Sequence, residues 1–209
     1  MVPRRKFSIN CAYKFLISNK VVDFPVDVFE IIDNNGWGLM TDIEYMKAKG
    51  VDRWEIEEMM QNGDAMVVLE KGLYTIVYKI RFPKRVRFSL AHEIGHIVMN
   101  HLIEFPIVES VELYDALEKE ADVFATRLLS PPVVMWEEGI ETLESVISFF
   151  NVSKSCAANR IKEHKGLSRD CPSIPKSAVS YERLYRKQRG GDNVYTPKKE
   201  EVVCFNKPG

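Results

Sequence analysis

Apolar positions along the chain recur with different periods, and each period predicts an element. From Glu112 to Leu129 they fall at Leu113, Leu117, Ala121, Phe124, Ala125 and Leu128, the three-and-four spacing that gives a helix one buried face. The run from Pro83 carries Leu90, Ile94, Ile97 and Val98 on a similar spacing, and Pro83 suits an early helical position because its fixed φ and missing N–H cost nothing there. Ahead of it, "AMVVLE" and "LYTIVYK" are β-branched and aromatic runs separated by Lys71-Gly72, the pattern of a hairpin. No other sheet is evident.

Further helices are predicted for Ile9 to Asn19, Asp27 to Asn35, Val51 to Met60, Leu143 to Phe150 and Lys154 to His164. Their limits come from breakers such as Asn34-Asn35-Gly36 and from Ser153 as an N-cap, while Ser130-Pro131-Pro132 ends the long helix before it. Beyond Pro172 the periodicity fades. These elements predict an α+β fold, mostly helical with a small antiparallel sheet, followed by a C-terminal helical pair. Residues 1–140 form the main domain, 141–170 the helical pair packed on it, and 171–209 a flexible basic tail.

Composition narrows the class without choosing a function. With 45% hydrophobic and 28% charged residues, disordered and collagen-like classes are excluded. Asn10, Lys14, Asn19 and Lys20 interrupt any apolar core of a secretion signal. Apolar runs such as Ala65 to Leu69 are too short to cross a bilayer. The expectation is a soluble cytoplasmic protein without a membrane anchor. Cys11, Cys156, Cys171 and Cys204 form no C-x-x-C pair, which fits reduced thiols better than a disulfide framework.

Net charge of −1 hides an asymmetry. Residues 104–150 carry eleven acids against Lys119 and Arg127, whereas 153–200 carry twelve Lys and Arg against five acids. Such a basic region is a candidate for weak DNA contact, and its plainer reading is a solvated surface.

Candidate chemistry concentrates in "VRFSLAHEIGHIVMNH", Val86 to His101. A helix advances about 100° per residue, so His92 and His96 share a face and their imidazoles can converge on one ion. Glu93 sits beside that ion, where it can accept a proton from water whose pKa zinc lowers from about 15.7 toward about 7. Its expected role is general base, since a third ligand from the same helix would crowd the position water needs. Gly95 is expected to leave room for a backbone or substrate. The plain alternative, an amphipathic helix with incidental histidines, does not account for H-E-x-x-H on an apolar helix just after a hairpin.

A third ligand must come from elsewhere. A longer motif ending in a third histidine would need Gly at 99 and His at 102, where Met99 and Leu102 stand. His101 misses by one residue and is left without a role. In "EKEAD", Glu118 and Asp122 share a helix face while Glu120 points away. Glu118 is the candidate ligand, and Asp122 the candidate for holding a ligating imidazole by its other ring nitrogen. Taken without the upstream motif, these acids would read as a solvated face.

The runs "RVRFSLAHEIGHIVMNH", "EKEADVFATRLLSPP" and "FFNVSKSCAANRIKEH" together resemble the ImmA/IrrE family of bacterial and phage metallopeptidases. The resemblance implies a zincin-like domain with zinc held by His92, His96 and Glu118, and Glu93 as base. It also implies a substrate class: helix-turn-helix repressors of mobile elements, prophages or stress regulons. Ser130 stands where the family commonly has Met, a departure that leaves the ligands untouched. Tyr74, Tyr78 and Tyr114 all remain open as an oxyanion partner.

A different class of function competes. "LESVISFFNVSKSCAANRIKEH" has the helix, short turn and basic second helix of a helix-turn-helix, which would make the chain a DNA-binding or anti-repressor module with a structural zinc. Val146, Phe149, Phe150 and Ile161 account for the same pair as core.

Overall fold

A computed structural model describes residues 2–61, 63–108, 110–166 and 174–190. The chain opens with α1 (Arg5–Ser18) and α2 (Val28–Asn34), then runs through β1 (Gly38–Thr41), α3 (Asp42–Lys49), α4 (Arg53–Met59), β2 (Ala65–Glu70) and β3 (Leu73–Tyr78). There follow α5 (Pro83–Val98), α6 (His101–Glu104), α7 (Val111–Leu129), α8 (Pro132–Glu137), α9 (Leu143–Phe150), α10 (Lys154–Lys165) and α11 (Lys176–Gln188). Mostly helical with a small sheet, this is the expected α+β class.

Local chemistry sets the boundaries. Thr41 and Glu44 form a capping box on α3, and Asp52 with Glu55 does the same for α4, each satisfying N–H groups that a helix start leaves open. Ser110 caps α7 through Leu113 N, and Ser153 caps α10 through Cys156 N. Lys71 and Gly72 both have positive φ, the conformation a two-residue hairpin loop requires.

The sheet is mixed, with strand order β1-β3-β2. β2 and β3 form the expected antiparallel hairpin, and β1 adds to β3 in parallel, Gly38 opposite Thr75. Four residues are too few to show an alternating pattern, which is why the sheet had read as purely antiparallel. β2 therefore lies at an edge of the sheet.

The core sits between the sheet and helices α1, α5 and α7. Leu90 and Ile94 from α5, Ala121, Phe124, Ala125 and Leu128 from α7, and Ala12 and Leu16 from α1 are all fully buried. A smaller cluster of Tyr45, Ile56, Met60 and Val77 packs α3 and α4 against the sheet.

The expected basic tail contains α11 instead. Ala178, Tyr181 and Tyr185 make a buried stripe at helical spacing. Tyr181 packs on Tyr13 of α1 at 5.8 Å and donates to the Val21 carbonyl at 2.8 Å. Lys and Arg between those positions raise the polar content and hide the stripe from composition. Residues 171–173 and 191–209, including Cys171 and Cys204, lie outside the described residues. Cys11 and Cys156 are free and half-buried.

In the α9–α10 pair, Val146, Phe150, Val152 and Ala157 are buried, and the basic side chain of Arg160 is 1% exposed. The pair thus packs as core. Among the described residues no helix is long and apolar enough to cross a membrane.

Candidate metal centre

Three polar groups converge where α5 crosses α7. His92 and His96 lie one turn apart on α5, and Glu118 reaches them from α7. His92 Nε2 is 3.1 Å from His96 Nε2 and 3.1 Å from Glu118 Oε2, and His96 Nε2 is 3.3 Å from Glu118 Oε1. Tetrahedral bonds of about 2.0–2.1 Å put donor atoms about 3.3 Å apart, so these three groups fit one small divalent ion. Two imidazole nitrogens facing each other at 3.1 Å need a hydrogen or a metal ion between them, because two bare lone pairs would repel.

Among the described residues the same three side chains form the one His/Cys/Asp/Glu group that could hold a metal ion. Its electrostatics favour positive charge. Burial opposes the imidazolium of His92, yet hydrogen bonds to Asp122 and Glu118 push its pKa up to about 10. Burial likewise resists the Glu118 carboxylate, and hydrogen bonds from His92 and His96 outweigh it, holding the group well below the usual carboxylate range.

Each imidazole is oriented through its other nitrogen. His92 Nδ1–H donates to Asp122 Oδ1 at 3.0 Å, the arrangement anticipated for that pair. His96 Nδ1 lies 3.1 Å from His101 Nδ1, and His101 Nε2 lies 3.3 Å from Glu120 Oε2. Burial, and then the neighbouring His96, push the pKa of His101 down to about 4. As a neutral ring His101 accepts at Nδ1 and donates from Nε2. Glu120 accepts from the Arg4 backbone N–H at 2.6 Å and from its guanidinium at 3.0–3.2 Å.

His101 and Glu120 thus have the partners that sequence spacing had withheld from them. They are 2% and 0% exposed. Asn100, at φ 56, breaks the helix and turns His101 back toward His96, a left-handed position that Asn tolerates. That Asn, just before a histidine past the helix end, was the one available signal. Glu120 does point away from the metal face, but toward Arg4 and His101 rather than solvent.

Glu93 lies beside the ligands on α5. It is 8% exposed, and burial raises its pKa against the pull of His96 and His92. Gly95 is not open to substrate: an added Cβ would meet the Phe124 ring at 3.1 Å, so Gly95 permits the close approach of α7.

A cleft of about 540 Å³ opens over these groups, lined by Ala65, Met66 and Val67 of β2, by Ser89 of α5 and by Tyr114 of α7. Tyr74 and Tyr78 do not line it. Burial, then Glu118, raise the pKa of Tyr114 and keep the phenol protonated.

Two imidazoles and one carboxylate, with a buried glutamate alongside and an open cleft above, define the type of site used for metal-assisted hydrolysis. Residues 48–133, which contain every candidate ligand, are similar to the family Peptidase U49. The match supports a peptidase, in agreement with the reaction class of the ImmA/IrrE resemblance. No curated protein matches the chain.

Proposed function

We propose that the protein is a zinc-dependent endopeptidase whose ligands are His92, His96 and Glu118. The carrying observation is the triangle of donor atoms at 3.1–3.3 Å beside buried Glu93. Zinc supplies, when bound, Lewis-acid activation of water and of the scissile carbonyl. A structural zinc, as in the competing anti-repressor module, is closed by four protein ligands, whereas three donors under an open cleft leave a coordination position for chemistry.

The chain's own residues supply the rest. Glu93 takes a proton from the attacking water and hands it to the leaving amine, and its raised pKa brings it closer to working pH. Tyr114 offers a protonated hydroxyl to the developing oxyanion. β2, an edge strand of the sheet, lines the cleft beside Glu93, which accepts from the Val67 backbone N–H, and its neighbouring backbone groups can orient an extended peptide. Asp122 holds the ring of His92.

By the resemblance, the substrate is a helix-turn-helix repressor of a mobile element, prophage or stress regulon, and the protein acts in the cytoplasm. The test compares wild type with Glu93→Gln on a repressor encoded beside the gene, with zinc counted per chain. Cleavage should fall at least about 10³-fold in the variant while zinc stays bound. Full repressor inactivation by zinc-loaded Glu93→Gln would sink the mechanism.

A further inference from the structure

A second cavity, of about 710 Å³, adjoins the catalytic cleft and shares Phe88 and Asp122 with it. α7 contributes Thr126 and Arg127, and α10 contributes Ser155, Asn159, Arg160 and Lys162. Four cations line it, Arg5, Arg127, Arg160 and Lys162, against the carboxylates of Asp122 and Glu163. Asp122 is already engaged by His92.

Glu163 is shared among three guanidinium groups. It accepts from Arg5 at 2.8 Å, from Arg160 at 2.5 Å and from Arg127 Nη2. Arg160 completes its set with the Thr126 carbonyl and Ser130 Oγ. Arg127 does not: it is 4% exposed, and its Nε and Nη1 have no partner among the described residues. Burial, and then Arg127, push the pKa of Arg160 down to about 10. The N-terminus of the twelve-residue α10 adds its own positive end to the same wall.

We propose that this cavity is a specificity subsite that takes an Asp or Glu side chain of the peptide held in the catalytic cleft. It rests on the peptidase function above. A carboxylate from the peptide offsets the surplus cations, reaching them at exposed Lys162 and Asn159 of α10, because the two unpartnered nitrogens of Arg127 are themselves buried. Arg127 lies nine residues beyond Glu118 on α7, about 14 Å along the helix axis and, at about 100° per residue, half a turn around it. The axial part alone takes about four extended residues, so the acidic residue stands at least about four positions from the scissile bond.

The test is a binding measurement on full-length, zinc-loaded Glu93→Gln protein, which needs no turnover. The probes are fluorescein-labelled decapeptides with one Glu moved along an Ala/Ser/Leu background, each paired with its Gln isostere. Glu should bind at least about tenfold tighter than Gln at one or two adjacent positions. Arg127→Gln should erase that preference. Because loss of a buried Arg can unfold the chain, Asn159→Asp and Lys162→Glu, on exposed positions of α10, provide a second pair that should erase it with an unchanged melting temperature. Equal affinity for Glu and Gln at every position, or a preference that survives both exposed variants, would overturn the proposal. Cleavage by wild type separates it from the function above: acid-selective binding without cleavage removes the peptidase and supports the subsite, and cleavage without acid selectivity removes the subsite alone.

Discussion

His96 is held by a line of contacts that runs through His101 and Glu120 to Arg4 at the entrance of α1. Each member fixes the next: Arg4 keeps Glu120 ionised, Glu120 fixes the tautomer of His101, and His101 fixes that of His96. The ring of His96 can then turn only Nε2 toward the metal. Groups in this position commonly change metal affinity about 10–100-fold when removed. Glu120→Gln keeps the shape and removes the charge, and zinc affinity measured by competition with a chromophoric chelator should fall within that range. His101→Phe should act in the same direction. Unchanged affinity in both would mean that α5 alone orients His96.

Elements α5 and α7 carry the site because their backbones come close at Gly95. A side chain there must displace the Phe124 ring, whose atoms lie 3.1–3.2 Å from an added Cβ. Gly95→Val should cost about 1–3 kcal/mol, read as a lower urea midpoint. Gly95→Ala should cost less, because alanine gains about 1 kcal/mol in helix propensity. An unchanged midpoint for Gly95→Val would show that the interface yields freely. These two helices and the hairpin were legible in sequence because long, regular apolar periods identify themselves, and so were His92, His96, Glu118 and Asp122, whose spacing within a helix fixes their common face. β1 was not legible, since four residues hold no period. α11 was hidden because its stripe of Ala178, Tyr181 and Tyr185 is embedded in charged residues. The contacts of His101 and Glu120 were invisible for another reason: they join α6, α7 and the N-terminal arm, and no spacing along one element encodes them.

At the scale of the whole molecule, α11 closes the core over α1, and truncating Tyr181 to Ala should remove about 3–5 kcal/mol, seen in thermal melts as a loss of roughly 2–4 °C per kcal/mol for a chain of this size. The metal should act on the same global equilibrium. Free zinc at about 1,000 times its dissociation constant stabilises by about 4 kcal/mol, so a strong chelator should lower the melting temperature by roughly 8–16 °C, and Glu118→Ala should remove that response. Zinc must also displace a proton. Hydrogen bonds to Asp122 and Glu118 push His92 up to about 10 against its burial, so without zinc His92 carries a proton at pH 7, in the position between its Nε2 and Glu118 that the ion requires. Folding raises this pKa above the usual value of about 6.5, so the stabilisation by the proton is complete below that value and is lost as pH rises through about 10. Zinc binding at pH 7 should therefore release about one proton per chain, measurable with an indicator dye in weak buffer. Apparent zinc affinity should rise by up to about tenfold per pH unit through the neutral range. Zinc binding with no proton release and a flat pH profile would mean that His92 is not a ligand.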